Sequence, residues 1–296
     1  MMKIAVTTYS FYQYLSKGKM TQLDTIKVAK ELGFEAIDFN DLKPNKTPTL
    51  EEQLEYAKLL RAEAEKYDLP INSYTVGADL FRLTQKESAD EVARLKGQVD
   101  VAVALGAKLM RHDICHREKH SNGKVISFGK MLPTIADNAR QITEYAASKG
   151  IPTCTENHGY VGQDSDRLET LYNTVNHENY GILLDIGNFA CVGEDSVHGV
   201  SRLASYAIHV HAKDFKIYPY GATLPEGAVA FPTRCANMIE GCIIGEGDVP
   251  VKQCLAILKR AGYDGYVTIE YEGNEDCIEG LKASYKNLKA MIEELG

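Results

Sequence analysis

Four apolar runs in the second half of the chain end in residues that can bind a cation or move a proton. The run from Ile151 ends in TENHG, with Glu156 and His158, and the run from Tyr180 ends in LLDIGN, with Asp185. The run from Ala207 ends in HVHAKD, with His209, His211, Lys213 and Asp214; the run from Tyr266 ends in TIEYEG, with Glu270 and Glu272. If each run is a β-strand, alternate side chains share a face: Glu156 with His158, His209 with His211 and Lys213, Glu270 with Glu272. Val210, Ala212, Ile269 and Tyr271 then face the other way. Carboxylates and imidazoles gathered out of water are costly unless their charge is compensated, and a divalent cation does this directly. Three oxygen donors and one imidazole suit Mn²⁺, Mg²⁺ or Co²⁺ better than a structural zinc. Such an ion, chelated by a substrate carbonyl and a neighbouring hydroxyl, would polarise the carbonyl and acidify the α C–H. Proton transfer would then open a route to epimerisation, aldose-ketose isomerisation or loss of a β-leaving group.

The elements that would position these groups form a regular series. KIAVTT from Lys3, EAIDFN from Glu35, PINSYT from Pro70 and AKLMRH from Ala107 precede the four runs above, giving eight expected strands. Amphipathic helical patterns lie between them, at Leu23–Leu32, Leu50–Tyr67, Val92–Leu105, Ile135–Ala147, Leu168–Val175, Val251–Leu258 and Ile278–Ile292, with the weakest around Val200–Leu203. Thr49 and Glu52 form a capping box at the start of the second. Gly33, Gly106, Gly150 and Gly262 each stand between a helix and the next strand, where a left-handed residue ends a helix without steric cost. Strand and helix alternating eight times predict an α/β fold, a parallel (β/α)8 TIM barrel, as a single domain over 1–296. A doubly wound sheet is disfavoured because no GxGxxG follows the first strand. In a barrel, catalytic groups project from the carboxyl ends of strands, where the four polar endings lie. The long connection from Asp214 to Gly265 is the expected place for a lid or specificity element.

Composition removes several function classes. The 296 residues carry 33 Lys+Arg against 41 Asp+Glu, a net charge of -8, so there is no basic field for nucleic acid or an anionic membrane. Seven cysteines without a CxxC pair argue for reduced thiols and a cytoplasmic location rather than a disulfide framework. Neither a signal-peptide pattern nor a run approaching 18 apolar residues is present, which predicts no membrane span. The expected partner is a small molecule.

The motifs TENHG, LLDIGN, HVHAKD, GEGDVP and AGYDGYVTIEYEG together resemble the xylose-isomerase-like TIM barrels, the sugar phosphate isomerases and epimerases, including ketose 3-epimerases and inosose dehydratases. The resemblance covers nearly the whole chain. It implies metal ligation by Glu156, Asp185, His211 and Glu270, with Glu156 and Glu270 also serving as the acid/base pair. It implies substrate contact at Asn188, where many relatives carry His, and a homo-oligomer. The leading expectation is a metal-dependent isomerase or epimerase of a ketose or keto-sugar derivative; the alternative is a lyase acting on a keto-sugar, inosose or ketoglycoside through the same site. Endonuclease IV, which shares the fold, needs histidines that NSYTV and Asn188 do not supply. No complete second metal site of the xylose isomerase kind is found. A noncatalytic barrel subunit would be expected to lack an acid/base glutamate, and both are present.

Further residues are assigned by position. His158, His209 and Lys213 share the inward faces and are expected to contact substrate or support the ligands. At the end of AKLMRH one of Arg111 and His112 must point inward, and His112 is favoured. Asp248 is expected to cap the helix from Val251, with Pro250 in its first turn, and the spacing of Gly245 and Gly247 is a weak phosphate-site signal. Arg234 reads as solvated. Tyr9, Phe11 and Phe81 would form an apolar wall over a sugar face or pack the rim.

Overall fold

Each of the eight apolar runs forms a strand of one closed parallel barrel. A computed structural model describes residues 2–115 and 119–296. The strands are β1 (Lys3–Thr7), β2 (Ala36–Asn40), β3 (Ile71–Val76), β4 (Leu109–His112), β5 (Thr153–Glu156), β6 (Tyr180–Asp185), β7 (Ala207–Ala212) and β8 (Tyr266–Ile269). Their order around the barrel is β1-β8-β7-β6-β5-β4-β3-β2, closed, so each strand lies beside its predecessor in the chain and the last joins the first. Between them run α1 (Gln22–Glu31), α2 (Leu50–Lys66), α3 (Gln85–Leu105), α4 (Phe128–Ser148), α5 (Ser165–Val175), α6 (Ser196–Leu203) and α7 (Val251–Arg260); α8 (Cys277–Glu294) follows β8. Gly33, Gly106, Gly150 and Gly262 all have φ between 76° and 92°, as a helix stop of this kind requires.

Helix starts depart most from the pattern. α3 begins at Gln85, seven residues before the expected Val92, because Thr84 and Glu87 form a capping box ahead of its first apolar turn. α4 begins at Phe128 and carries Pro133 inside it. A proline this near the amino end removes one intrahelical bond, so the helix continues through it.

The chain divides into two compact units, residues 38–183 and residues 1–37 with 184–296, the divisions falling within β2 and β6. In the first unit α2 packs on α3, α3 on α4 and α4 on α5. Leu109, Cys154 and Leu183 form one buried apolar cluster. Their register, Arg111 opposite Cys154 and Glu156 opposite Leu183, sets Arg111 and Glu156 on the face this cluster occupies, one step nearer the carboxyl ends. The opposite face meets the helices: the hydroxyls of Thr143 and Thr153 lie 2.8 Å apart, and Tyr180 donates to Thr155 at 2.6 Å.

In the second unit β8 pairs with both β1 and β7. Tyr271 packs on α8, where a Cβ at Gly280 would lie 2.2 Å from the tyrosine ring. The long connection after β7 folds into an antiparallel sheet of Asp214–Tyr218, Met238–Cys242 and Phe231–Pro232. All seven cysteines are free thiols, and no helix among the described residues is long and apolar enough to cross a membrane.

Candidate active site

The second unit collects its charged groups at the ends of β6, β7 and β8. Asp185 closes β6, and its Oδ1 accepts the backbone N–H groups of Gly187 and Asn188 at 2.8 and 2.9 Å, which fixes the carboxylate. On β7 the rings of His209 and His211 lie edge to face, 5.1 Å apart. The Nε2 of His209 is 3.5 Å from the Thr268 hydroxyl. His211 Nδ1 is 3.6 Å from Glu270 and 4.0 Å from Asp185. Asp185, His211 and Glu270 each offer one ligand atom, and these atoms lie within 4.8 Å of one another. The Lys213 ammonium is 2.6 Å from Glu270, 3.1 Å from Glu272 and 3.5 Å from Asp185. Its stem needs Gly187, where a Cβ would lie 2.4 Å from Lys213 Cγ.

Three carboxylates here face one ammonium, and all but Glu272 are buried. Burial opposes ionisation of Glu270, yet Lys213 and then His211 outweigh it and hold the carboxyl well below its ordinary range. The remaining negative charge and the imidazole nitrogen that His211 can offer fit a divalent cation.

The first unit presents a different arrangement. Arg111 Nη2 lies 2.6 Å from Glu156 and 2.8 Å from Asp113, and the same Asp113 oxygen is 2.8 Å from His158 Nδ1. Against the cost of burial, Arg111 and then His158 hold the Asp113 carboxyl far below its usual value. Burial depresses His158, but Asp113 outweighs it and raises the imidazole pKa.

This geometry corrects the choice between Arg111 and His112. Arg111 shares the face of Glu156, whereas His112 is fully buried on the helix-facing side, its ring 6.4 Å from that of Tyr180 and its Nδ1 2.9 Å from the Asp113 carbonyl. Alternation requires one of the two to point inward but does not say which. Asp113 and Glu272, the acidic partners of Arg111 and Lys213, lie two residues beyond inward-facing positions, and that spacing was their only signal.

The GEGDVP turn is also corrected. Pro250, not Asp248, occupies the capping position of α7, and Asp248 instead accepts the Ile217 N–H at 2.7 Å. The amides of Gly245, Gly247 and Val249 donate to Asp214 at 2.8–3.1 Å. With a carboxylate already in the cradle, the glycines do not form a phosphate site. A Cβ at Gly247 would lie 2.2 Å from Asp214 Oδ1, so this turn requires glycine there. Phe11 is fully buried packing, while Tyr9 is 41% exposed. Arg234 is exposed, as expected.

Residues 26–294 match the family described as xylose isomerase-like TIM barrel. An inosose dehydratase of Clostridium perfringens is 22% identical over 80% of this chain and 81% of its own. Among solved structures, an L-ribulose 3-epimerase superposes with a TM-score of 0.73 at 13% identity, covering 100% of this chain and 96% of its own. The IOLI protein with a bound zinc atom superposes with a TM-score of 0.74 at 16% identity, covering 100% and 99%. At these identities the structural likeness speaks for the fold. With the match spanning most of its length, the chain belongs to the xylose isomerase-like TIM barrel family.

Proposed function

We propose that the protein is a divalent-metal-dependent enzyme that moves the proton α to the carbonyl of a ketose or keto-sugar derivative, as an isomerase or epimerase. The proposed ligands are Glu156, Asp185, His211 and Glu270. The observation that carries this reading is the excess of carboxylate around Asp185, His211 and Glu270, which one lysine offsets only in part. Mn²⁺ suits three oxygens and one nitrogen best, and the zinc held by the IOLI protein belongs to the same divalent class. When bound, the cation would polarise a substrate carbonyl and acidify the adjacent C–H. Glu270, held ionised, takes the proton at the end of β8, with Lys213 positioned to hydrogen-bond the substrate oxygen. For an epimer, Glu156 enters the step protonated and gives its proton to the opposite face, after which exchange with solvent removes the proton from Glu270 and restores that of Glu156. Return to the neighbouring carbon gives an isomer.

A second reading is favoured by Lys213, which places an ammonium 2.6 Å from the proposed base. Proton loss at the α carbon, rupture of the β C–O bond and delivery of a Lys213 proton to the departing hydroxyl would release water. The likeness to inosose dehydratases over four-fifths of both chains supports this elimination.

Metal-loaded protein in D₂O with ketoses, inososes and 3-keto-glycosides tests both readings by NMR. Deuterium at the α carbon that vanishes on chelation is the expected result; an epimer marks the first reading and an unsaturated product the second. Glu270→Gln and Glu156→Gln should each lower the rate by about 10²- to 10⁴-fold while retaining metal by calorimetry. Near-full activity in both metal-bound variants would overturn the two-glutamate assignment.

A further inference from the structure

A cavity of about 210 Å³ opens beside Glu272, lined by residues following β1, by the long connection after β7 and by the chain after β8. Tyr9 and Tyr12 line one side with stacked rings 6.0 Å apart. Val229 and Phe231 contribute further apolar surface, and Phe231 is fixed edge to face against the buried Phe215, 5.9 Å away. These four side chains are 36–67% exposed, a cluster of apolar surface that folding leaves uncovered. Asn274, whose amide donates to Glu240 at 2.6 Å, and Glu272 give the cavity polar edges.

Three features define an occupant. The volume lies below the roughly 300–1,000 Å³ of pockets that enclose drug-sized ligands, and suits a single sugar ring. The walls combine aromatic faces with polar edges, matching a pyranose, which has an apolar C–H face and a hydroxyl rim. Among the described residues the lining contains a carboxylate and no lysine or arginine, so it offers no counter-charge to a phosphate. The cavity adjoins the proposed reaction centre at Glu272, which lines it and also bonds Lys213 at 3.1 Å, the lysine that contacts Glu270. Tyr9 reports the same proximity: burial, then the Glu272 charge, pushes its phenol up to about 12.

We infer that this cavity is a subsite for a second, uncharged pyranose ring, so that the substrate is a neutral glycoside whose reacting keto-sugar ring lies at Glu270 and whose partner ring lies against Tyr12 and Phe231. The inference rests on the proposed role of Glu270 as the reaction centre. It makes the residues around this cavity determinants of substrate length.

Calorimetry with methyl glucoside, cellobiose, maltose and glucose 6-phosphate tests the subsite without requiring turnover, and a separate Mn²⁺ titration tests the metal reading. At least one disaccharide should bind the wild type roughly tenfold more tightly than methyl glucoside. Tyr12→Ala and Phe231→Ala should each remove most of that advantage and leave Mn²⁺ affinity unchanged. Tyr12 is 62% exposed, so its replacement is compatible with folding. The subsite is overturned if no disaccharide exceeds methyl glucoside, if both variants keep the advantage, or if glucose 6-phosphate binds most tightly. A protein that takes up no Mn²⁺ yet keeps the variant-sensitive disaccharide preference would instead overturn the metal reading and uphold the subsite.

Discussion

The two charged clusters differ in how their charges balance. Around β4 and β5, charges alternate along a chain from Glu156 through Arg111 and Asp113 to His158, each opposite neighbour within 2.6–2.8 Å. Around β6 to β8, Asp185, Glu270 and Glu272 share the single ammonium of Lys213. A buried network that satisfies its own charges can hold a side chain in place without further help, whereas one with surplus negative charge calls for another cation. Both use strand-end residues at two-residue spacing, so the difference lies in the partners and not in the local chain pattern.

Removing the central cation of each cluster separates the two cases. Arg111→Met should leave Asp113 and Glu156 without their shared buried partner and destabilise the protein by about 3–5 kcal/mol, measured by urea unfolding. Added Mn²⁺ should recover little of this loss, because the pairing with Asp113 is still missing. Lys213→Met should cost less in saturating Mn²⁺, because a second positive charge can stand among Asp185 and Glu270. Without metal, its cost should approach that of the arginine variant. Equal responses to Mn²⁺ in the two variants would break the distinction.

A smaller effect is expected from acid. The folded-state pKa of Asp113 is depressed, so its contribution is present above the unfolded value near 3.9 and is lost as pH falls through the folded value. Wild type and Asp113→Asn should therefore converge in stability as pH drops from about 5 to 2, in unfolding curves taken across that range. A constant gap would place the stabilising charge elsewhere in the network.

Much of this architecture was legible in the residues. Eight apolar runs separated by amphipathic stretches, four glycine stops and the Thr49-Glu52 capping box depend on neighbours within a few positions, and the structure forms all of them. The same locality sets Lys213 on the face of His211 and Glu272 on that of Glu270. The early start of α3 was missed because its first turns carry few apolar residues, although Thr84 and Glu87 marked it.

What the sequence by itself determined is therefore the period of each element and the sharing of faces along it. Alternation states that residues two apart point together, but gives no absolute direction: only the packing of Tyr180 and the helices against one side of the barrel placed His112 there and turned Arg111 toward Glu156. Likewise, GEGDVP reads as an open set of amides until the fold brings the Asp214 carboxylate, more than 30 residues earlier, into it. Strand periodicity is a short-range steric property. The direction of a face and the partner of a buried charge are set by contacts between segments far apart in the chain, so the tertiary structure alone decided them.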